Sequence, residues 1–280
     1  MSQKSAQQIV ERAQREVAAR RVETVQQRWG GVWSWLFLAL LSSVLVAFLL
    51  APGALPEKLF LAMGGVSGLR PAHSFVAGDM RLPLEARTTG MYGGFTLAFV
   101  SLAVLRRVGA RRLGSPRMNR VIATFFAIMI FDGVNSTLAT LGWPHLYTPT
   151  NPLRLFTGVL FGTAMACSLI WLVGMVGRPR TDESTRYVLQ TWWNLGILVT
   201  LNLLFAFLVM QEQTLFYYPI ALVSTIGVVG ALTMGLLLLV LTLGGMAGRV
   251  THMRYIVAPS ALAALLACAI LAGAAAMRWL

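Results

Sequence analysis

The sequence predicts an all-α protein, a polytopic bundle of transmembrane helices, and three features of its 280 residues support this prediction. Hydrophobic residues make up 57% of the chain and charged residues only 12%, whereas soluble domains carry about 25% charged residues. Several apolar stretches reach the roughly 20 residues that a helix needs to cross a bilayer. The basic residues behind the net charge of +13 lie between these stretches and form no basic face on a folded domain. The predicted partner is therefore membrane lipid and not nucleic acid.

Residues 1–30 precede the first apolar stretch and are predicted to form a charged, partly amphipathic helix in the cytoplasm. Glu11 with Arg15, and Glu16 with Arg20, have the i,i+4 spacing that supports an exposed helix. So long a polar segment argues against a cleaved signal peptide, which has a short basic start. Two interpretations stay open: a helix lying in solvent or among lipid headgroups, and a helix docked on a partner subunit.

Residues 31–280 are predicted to form the transmembrane bundle, with seven segments long and apolar enough to be spans. A first region, 51–176, carries the polar motifs, and a second region, 187–280, is interpreted as scaffold because its spans contain no acidic residue. Cys167 and Cys268 lie within apolar stretches, where a thiol usually acts as a small buried hydrophobic group. The predicted spans are residues 32–50, 89–105, 121–141, 153–176, 187–210, 219–243 and 255–277.

The distribution of Lys and Arg predicts the orientation, because cytoplasmic loops retain positive charges. With the N-terminus in the cytoplasm, the inside segments contain 17 of these residues and the outside segments contain 6. Aromatic residues such as Trp33, Trp143 and Tyr217 lie near predicted span ends, as expected at a membrane interface. The prediction is a multi-pass protein of the inner or plasma membrane with its C-terminus outside.

The first outside loop, 51–88, is long and rich in Gly and Pro, and it contains the weak candidates for metal ligands. His73, Asp79 and Glu85 supply imidazole and carboxylate groups, which suit zinc or manganese. No H-E-x-x-H motif or paired-cysteine spacing accompanies them, and a lone loop histidine is more often hydrogen-bonded at the surface. The sequence therefore predicts no metal site here.

The third predicted span contains Asp132, Asn135, Ser136 and Thr140 at a spacing that places them on one broad helical face. An aspartate at mid-depth costs roughly 2.5 to 3.5 kcal/mol on insertion scales, so such residues face a bundle interior and have partners, here expected to be arginines. Together with the outer ends of the second and fourth spans, this face predicts an outward-facing charged pocket. Its predicted residues are Glu85, Arg87, Thr89, Asp132, Asn135, Asn151, Arg154 and Thr157.

Four blocks of the chain resemble an uncharacterised prokaryotic membrane-protein family that is described only as a domain of unknown function. They are Arg-Pro-Ala-His-Ser-Phe at 70–75, Pro-Leu-Glu-Ala-Arg-Thr-Thr-Gly-Met-Tyr at 83–92, Asp-Gly at 132–133 and Asn-Pro-Leu-Arg-Leu-Phe-Thr-Gly at 151–158. The resemblance covers residues 69–162 and implies a membrane protein without an assigned reaction. The family pattern has cysteines where this chain has Glu85 and Thr88, so cysteine-based metal or thiol chemistry is not carried over.

Three classes of function fit these observations. The first is binding of an ion, a small anion or a lipid headgroup in the charged pocket, as in a transporter. The second is a non-catalytic accessory subunit that assembles with partner membrane subunits or as a homo-oligomer, in which case the charges only fix helix register. The third is an intramembrane enzyme acting on a lipid headgroup, although the sequence identifies neither a nucleophile nor a cofactor.

Overall fold

The computed structural model describes residues 12–13, 16–17, 29, 31–179 and 186–279. Most of the predicted N-terminal helix, including the pairs expected at Glu11 and at Arg20, lies outside the described residues. Within it, Arg12 and Glu16 form an exposed ion pair at 3.7 Å. Trp29 packs beside Gly244 and the neighbouring apolar residues of the bundle.

The described residues form a helical bundle, which confirms the predicted all-α class. A β-hairpin pairs β1 (Val76–Ala77) with β2 (Met80–Arg81) in the first long loop, with Val76 opposite Arg81. The helices are α1 (Val32–Leu50), α2 (Leu55–Met63), α3 (Ala86–Val104), α4 (Pro116–Thr140), α5 (Asn151–Gly177), α6 (Trp192–Met210), α7 (Tyr217–Leu243) and α8 (Val257–Trp279).

Six of the seven predicted spans are helices long and apolar enough to cross a membrane, and α3 is not among them. Its first turns contain Arg87, Thr88 and Thr89, followed by three glycines within the next five residues. Helix α3 can carry these polar and small residues because it packs against α5, α6 and α7. It therefore contacts protein where an outer helix would contact lipid. By contrast α1, which packs on α8, contains no buried residue.

The described loops of the bundle lie on two opposite faces. On one face, Asn151 at the start of α5 donates to the carbonyl of Ala72, and Gly78 donates to the carbonyl of Glu212 in the α6–α7 loop. On the other face, Trp171 near the end of α5 donates to the carbonyl of Arg111, and Gly248 donates to the carbonyl of Val176. Helix α3 therefore connects the two faces.

Helices α3 and α5 run parallel and cross at very short range through glycines. A Cβ atom at Gly90 would collide with the carbonyl oxygen of Leu155, and one at Gly158 would collide with the carbonyl oxygen of Arg87. Gly162, one turn further along α5, lies against the backbone of α3 in the same way. This contact brings the N-terminal ends of two long helices side by side on the face that holds the first loop.

The starts of two helices differ from the predicted span boundaries for local reasons. Helix α4 begins at Pro116, earlier than predicted, because Ser115 caps it and proline suits the first turn. Helix α6 begins at Trp192 behind a cap in which Thr191 and Asn194 bond each other, later than the predicted start at residue 187. Val188 instead donates to the carbonyl of Arg112 in extended pairing.

Candidate functional site

Two groups of charged side chains lie at the shared end of α3, α4 and α5. The first, which we call the Asp132 cluster, joins all three helices with the loop between α4 and α5. Its members are Arg87, Asp132, Ser136, Tyr147 and Thr157.

The carboxylate of Asp132 is surrounded by donors. Its Oδ2 accepts from Arg87 Nη2 at 2.5 Å and from Thr157 Oγ1 at 3.0 Å, and its Oδ1 accepts from the Tyr147 hydroxyl at 2.8 Å. Arg87 Nη2 also donates to Ser136 Oγ at 2.8 Å. Only 2% of the Asp132 side chain is exposed, so these donors replace the water that the carboxylate loses.

The protonation of Tyr147 fits its role as a donor. Burial, the hydrogen bond to Asp132 and the negative charge of that carboxylate together raise the pKa of Tyr147 to about 12. The phenol therefore stays protonated at physiological pH. Arg87 Nε is buried without a hydrogen-bond partner, which is the one uncompensated polar atom of the Asp132 cluster.

Asn135 lies on the same helix as Asp132, and its side chain binds the backbone of the α4–α5 loop. Its side-chain oxygen accepts from the backbone N–H of Leu146 at 2.8 Å, and its side-chain nitrogen donates to the carbonyl of Tyr147 at 2.9 Å. This pair of bonds fixes the loop so that the Tyr147 hydroxyl reaches Asp132. Asn135 therefore positions the Asp132 cluster and is not a member of it.

The second group, which we call the Arg154 cluster, combines the first turn of α5 with the loop before α3. Its members are Arg70, His73, Glu85, Asn151 and Arg154. His73 lies within electrostatic range of Arg154, Glu85, Arg70 and Arg87. Arg154 lies within range of Arg87 and Asp132 in the first cluster, as well as of Glu85 and Arg70.

The guanidinium of Arg154 is buried and forms no ion pair with an acidic side chain of the described residues. Only 9% of the residue is exposed, and its one side-chain hydrogen bond joins Nη1 to Asn151 Oδ1 at 3.2 Å. Among the described residues the ion pairs are Arg12 with Glu16 and Arg87 with Asp132, so Arg154 belongs to neither. Burial of an unpaired charge is costly, and this cost distinguishes Arg154 from Arg87.

The other basic groups of the Arg154 cluster also keep free donors. Among the described residues, neither the Arg70 guanidinium nor the His73 ring has a protein acceptor. The Glu85 carboxylate accepts the backbone N–H of Arg70 at 3.0 Å, and its negative charge acts on His73. With His73 neutral the Arg154 cluster carries a net charge of +1, and with His73 protonated it carries +2.

Helix dipoles add to this positive charge. The N-cap residues of α3 and α5, Glu85 and Thr150, make no side-chain capping bond, and neither first turn contains an acidic residue. Each helix N-terminus behaves as roughly half a positive charge, and here two of them lie together. The two N-termini therefore add positive electrostatic potential at this end of the α3–α5 pair.

The loop that carries Arg70 and His73 is held from both sides. Ser67 Oγ accepts from the backbone N–H of Glu85, and Arg278 near the C-terminus donates to the carbonyls of Gly64, Ser67 and Gly68 at 2.8 to 3.1 Å. Leu69 follows with a φ of 53°, a conformation uncommon for a residue with a side chain, and is buried. These contacts order the loop next to Arg154.

The position of His73 lowers its basicity. Burial first, and then the positive charge of Arg154, lower the pKa of His73 from the ordinary 6.5, while Glu85 acts in the opposite direction. The imidazole is therefore neutral at physiological pH. A negative charge placed among these groups would favour the protonated ring.

The structure divides the predicted site residues between the two clusters and local helix or loop contacts. The structure brings Arg87, Asp132 and Thr157 together in the Asp132 cluster, and Glu85, Asn151 and Arg154 in the Arg154 cluster. Thr89 is buried and donates to the carbonyl of Leu84, so it stabilises the first turn of α3 and belongs to neither cluster. Sequence reasoning missed Tyr147 as a partner of Asp132 and Arg70 as part of the site. No pattern along the chain marks Tyr147, because a loop brings it to Asp132.

The weak metal candidates do not assemble into a metal site in the part of the chain that the structure describes. His73 and Glu85 lie near each other, but Asp79 is in the turn of the β-hairpin and is not among the charges acting on His73. No three His, Cys, Asp or Glu side chains of the described residues are placed to share an ion. Cys167 and Cys268 are free thiols.

A small cavity of about 190 Å³ lies between α4 and the loop that follows it, and none of its lining residues is a member of either cluster. Its lining is mostly apolar, with Asn135 and His145 as the polar side chains. The other lining residues are Phe131, Val134, Leu138, Pro144 and Leu146.

Comparisons with known proteins agree with the fold class and assign no reaction. Searches of curated proteins and of solved structures each gave no significant match. A family model described as a predicted membrane protein (DUF2085) matches residues 69–168, which include both clusters. The chain is therefore similar to the family DUF2085 over these 100 of its 280 residues.

Proposed function

We propose that this multi-pass protein of a cell membrane binds a small anionic ligand at the Arg154 cluster, on the outer face of the membrane. The observation that carries the proposal is the buried Arg154 guanidinium, which has no acidic partner among the described residues. A bound anion would supply the missing counter-charge. The orientation is supported by the excess of Lys and Arg in the segments of the opposite face.

Two further features support an anion over a cation or a proton. The uncapped N-termini of α3 and α5 add positive potential beside Arg154, and Arg70 and His73 offer free N–H donors. The acidic residue that could have held a cation, Asp132, already accepts three hydrogen bonds from side chains. We therefore propose that Asp132 stabilises the fold and that Arg154 binds the ligand.

The proposal is tested by anion-dependent thermal unfolding of the purified protein in a neutral detergent at constant ionic strength. Sulfate, acetate and chloride are compared on the wild type, on Arg154→Met and on the control variant Arg81→Met. Arg81 lies on the same face, where its guanidinium packs 4.8 Å from the Phe60 ring centre, so the control removes one outer arginine without touching the site.

At least one of these anions should raise the unfolding midpoint of the wild type by several degrees at saturating concentration, because a ligand that binds only the folded state stabilises it. The control variant should respond as the wild type does, whereas Arg154→Met should lose the response. An equal response of wild type and Arg154→Met to every anion, or no response at all, would contradict the proposal.

A further inference from the structure

The number and arrangement of free donors around Arg154 indicate what kind of anion fits. The guanidinium of Arg154 donates to Asn151, and Asn151 in turn donates to the carbonyl of Ala72, so the loop segment that carries Arg70 and His73 lies against the first turn of α5. Each guanidinium is a planar fork suited to two oxygens of a carboxylate or phosphate. Two forks and an imidazole together offer more donors than the two oxygens of a carboxylate can accept. A tetrahedral group, with three or four oxygens, can accept from all of them.

The net charge of the Arg154 cluster also favours a doubly charged anion. Arg70 and Arg154 contribute two positive charges and Glu85 one negative charge, while Arg87 is paired with Asp132. With a neutral His73 the Arg154 cluster carries a net +1, and with a protonated His73 it carries +2. A doubly charged anion is therefore matched when the imidazole is protonated.

We propose that the Arg154 cluster binds the tetrahedral dianionic group of a phosphate or sulfate, and that His73 takes up a proton when this group binds. This inference rests on the anion-binding function proposed above. In the free protein Arg154, Arg70 and Arg87 oppose protonation of the His73 ring, and Glu85 is the one group that favours it. A bound dianion reverses this balance, because its charge outweighs the repulsion from the arginines.

Calorimetric titration of the purified protein tests the ligand class. Sulfate, acetate and chloride are titrated at constant ionic strength near pH 7, and sulfate is chosen because it remains a dianion across the range used. The expected result is that sulfate binds at least about tenfold more tightly than acetate or chloride. If acetate or chloride binds as tightly as sulfate in an Arg154-dependent manner, the ligand class is wrong while the anion-binding function stands.

Proton uptake tests the role of His73. The same sulfate titration is repeated in two buffers with different ionisation enthalpies, with His73→Gln as the variant and His145→Gln as the control. His145 lies in the α4–α5 loop, where its ring contacts the carbonyl of Trp143 outside the Arg154 cluster. Wild type and the control should take up a fraction of a proton for each sulfate bound, and His73→Gln should bind sulfate without uptake.

The pH dependence gives a second measure of the same event. Sulfate affinity of the wild type should rise by about threefold or more between roughly pH 7.5 and pH 5.5, and the affinity of His73→Gln should change little. Uptake that persists in His73→Gln, or wild-type binding without uptake, would overturn the role of His73. If sulfate does not bind the wild type and neither do the other anions, the proposed function fails as well.

A further titration distinguishes a free anion from a lipid headgroup that carries the same dianionic group. Sulfate is titrated into the protein in nanodiscs of phosphatidylcholine alone and in nanodiscs that also contain phosphatidic acid, whose headgroup is a phosphate monoester. A lower apparent affinity with phosphatidic acid supports the dianion site and identifies its source as the headgroup. An unchanged affinity supports the same site with a free anion as its source.

Discussion

The Asp132 cluster and the Arg154 cluster lie at the same end of the bundle, each contains a buried charge, and they differ in how that charge is compensated. Asp132 accepts hydrogen bonds from Arg87, Tyr147 and Thr157. In the part of the chain that the structure describes, Arg154 has a single side-chain hydrogen-bond partner, the uncharged amide of Asn151. Removing one member of a neutralised buried pair leaves a costly lone charge in the fold, whereas a buried charge without a partner gains stability when a counter-ion binds. The difference suggests a structural role for the first cluster and a binding role for the second.

The largest expected effect comes from removing the charge of Asp132. Asp132→Asn leaves the Arg87 guanidinium without its counter-ion in a mostly buried position, and loss of one partner of a buried pair costs about 3 to 5 kcal/mol. Chemical unfolding in detergent should show a loss of this order. Since Asp132 is not a member of the Arg154 cluster, the folded variant should still bind sulfate. A stability within about 1 kcal/mol of the wild type would remove the structural role that we assign to Asp132.

The second-largest expected effect comes from disrupting the glycine contact between α3 and α5, which brings their N-termini together. Gly158→Ala would place a methyl group against the backbone of α3 at Arg87 and Met91, and we expect a loss of about 1 to 3 kcal/mol. Gly133→Ala is the matched control, because Gly133 lies in the middle of α4 with open space beside it. There the substitution should stabilise the protein by about 0.5 to 1 kcal/mol through helix propensity. Effects of the same sign at both glycines in unfolding measurements would argue against a tight α3–α5 contact.

A smaller loss is expected when the hydroxyl of Tyr147 is removed. Tyr147→Phe deletes one of the three donors to Asp132 while Arg87 and Thr157 remain, and the expected loss of stability is about 1 kcal/mol. Because the pKa of Tyr147 is about 12, the wild-type hydroxyl should remain a donor across the whole physiological range. The stability difference between wild type and variant should therefore be constant between about pH 6 and pH 9. A difference that disappears within this range would contradict the hydrogen bond to Asp132.

The smallest effect concerns His73 in the protein without ligand. Folding lowers its pKa below the ordinary 6.5, so the unfolded chain binds the proton more tightly than the folded chain does. The stability contributed by the neutral ring is therefore complete above about pH 6.5 and is lost as the pH falls through the folded-state pKa. His73→Gln should lack this component of the pH dependence in thermal unfolding scans. Scans of wild type and variant that run parallel below about pH 6.5 would contradict the lowered pKa.

The fold could be predicted from the sequence to the extent that it depends on long apolar stretches. Six of the seven predicted spans follow from hydrophobic length. The parallel course of α3 and α5 follows from the alternation of successive helices. Helix α2 and the β-hairpin could not be located in this way, because loop 51–88 contains no apolar stretch of membrane-spanning length. The helix boundaries moved by a few residues where a local cap, such as Ser115 or Thr191, decides the first turn.

The candidate site was predictable as a set of residues but not as two clusters. The spacing of Asp132, Asn135 and Ser136 identified the polar face of α4, and an arginine partner was expected. Whether that partner is Arg87 or Arg154 depends on how the helices are rotated about their axes, which spacing along the chain does not contain. The loop contacts of Tyr147 and of Arg70 depend on backbone turns in the same way. For this reason the structure, and not the sequence, shows that Arg87 is paired with Asp132 while Arg154 is not.

The most direct test of this division is a paired measurement on Asp132→Asn and Arg154→Met, recording the thermal unfolding midpoint with and without sulfate. The account predicts that Asp132→Asn unfolds at a markedly lower temperature and keeps its stabilisation by sulfate. Arg154→Met should unfold at the wild-type temperature or above, because it removes an unpaired buried charge, and should lose that stabilisation. If Arg154→Met is as unstable as Asp132→Asn, or if sulfate stabilises it as it does the wild type, the assignment of Arg154 to the ligand is contradicted.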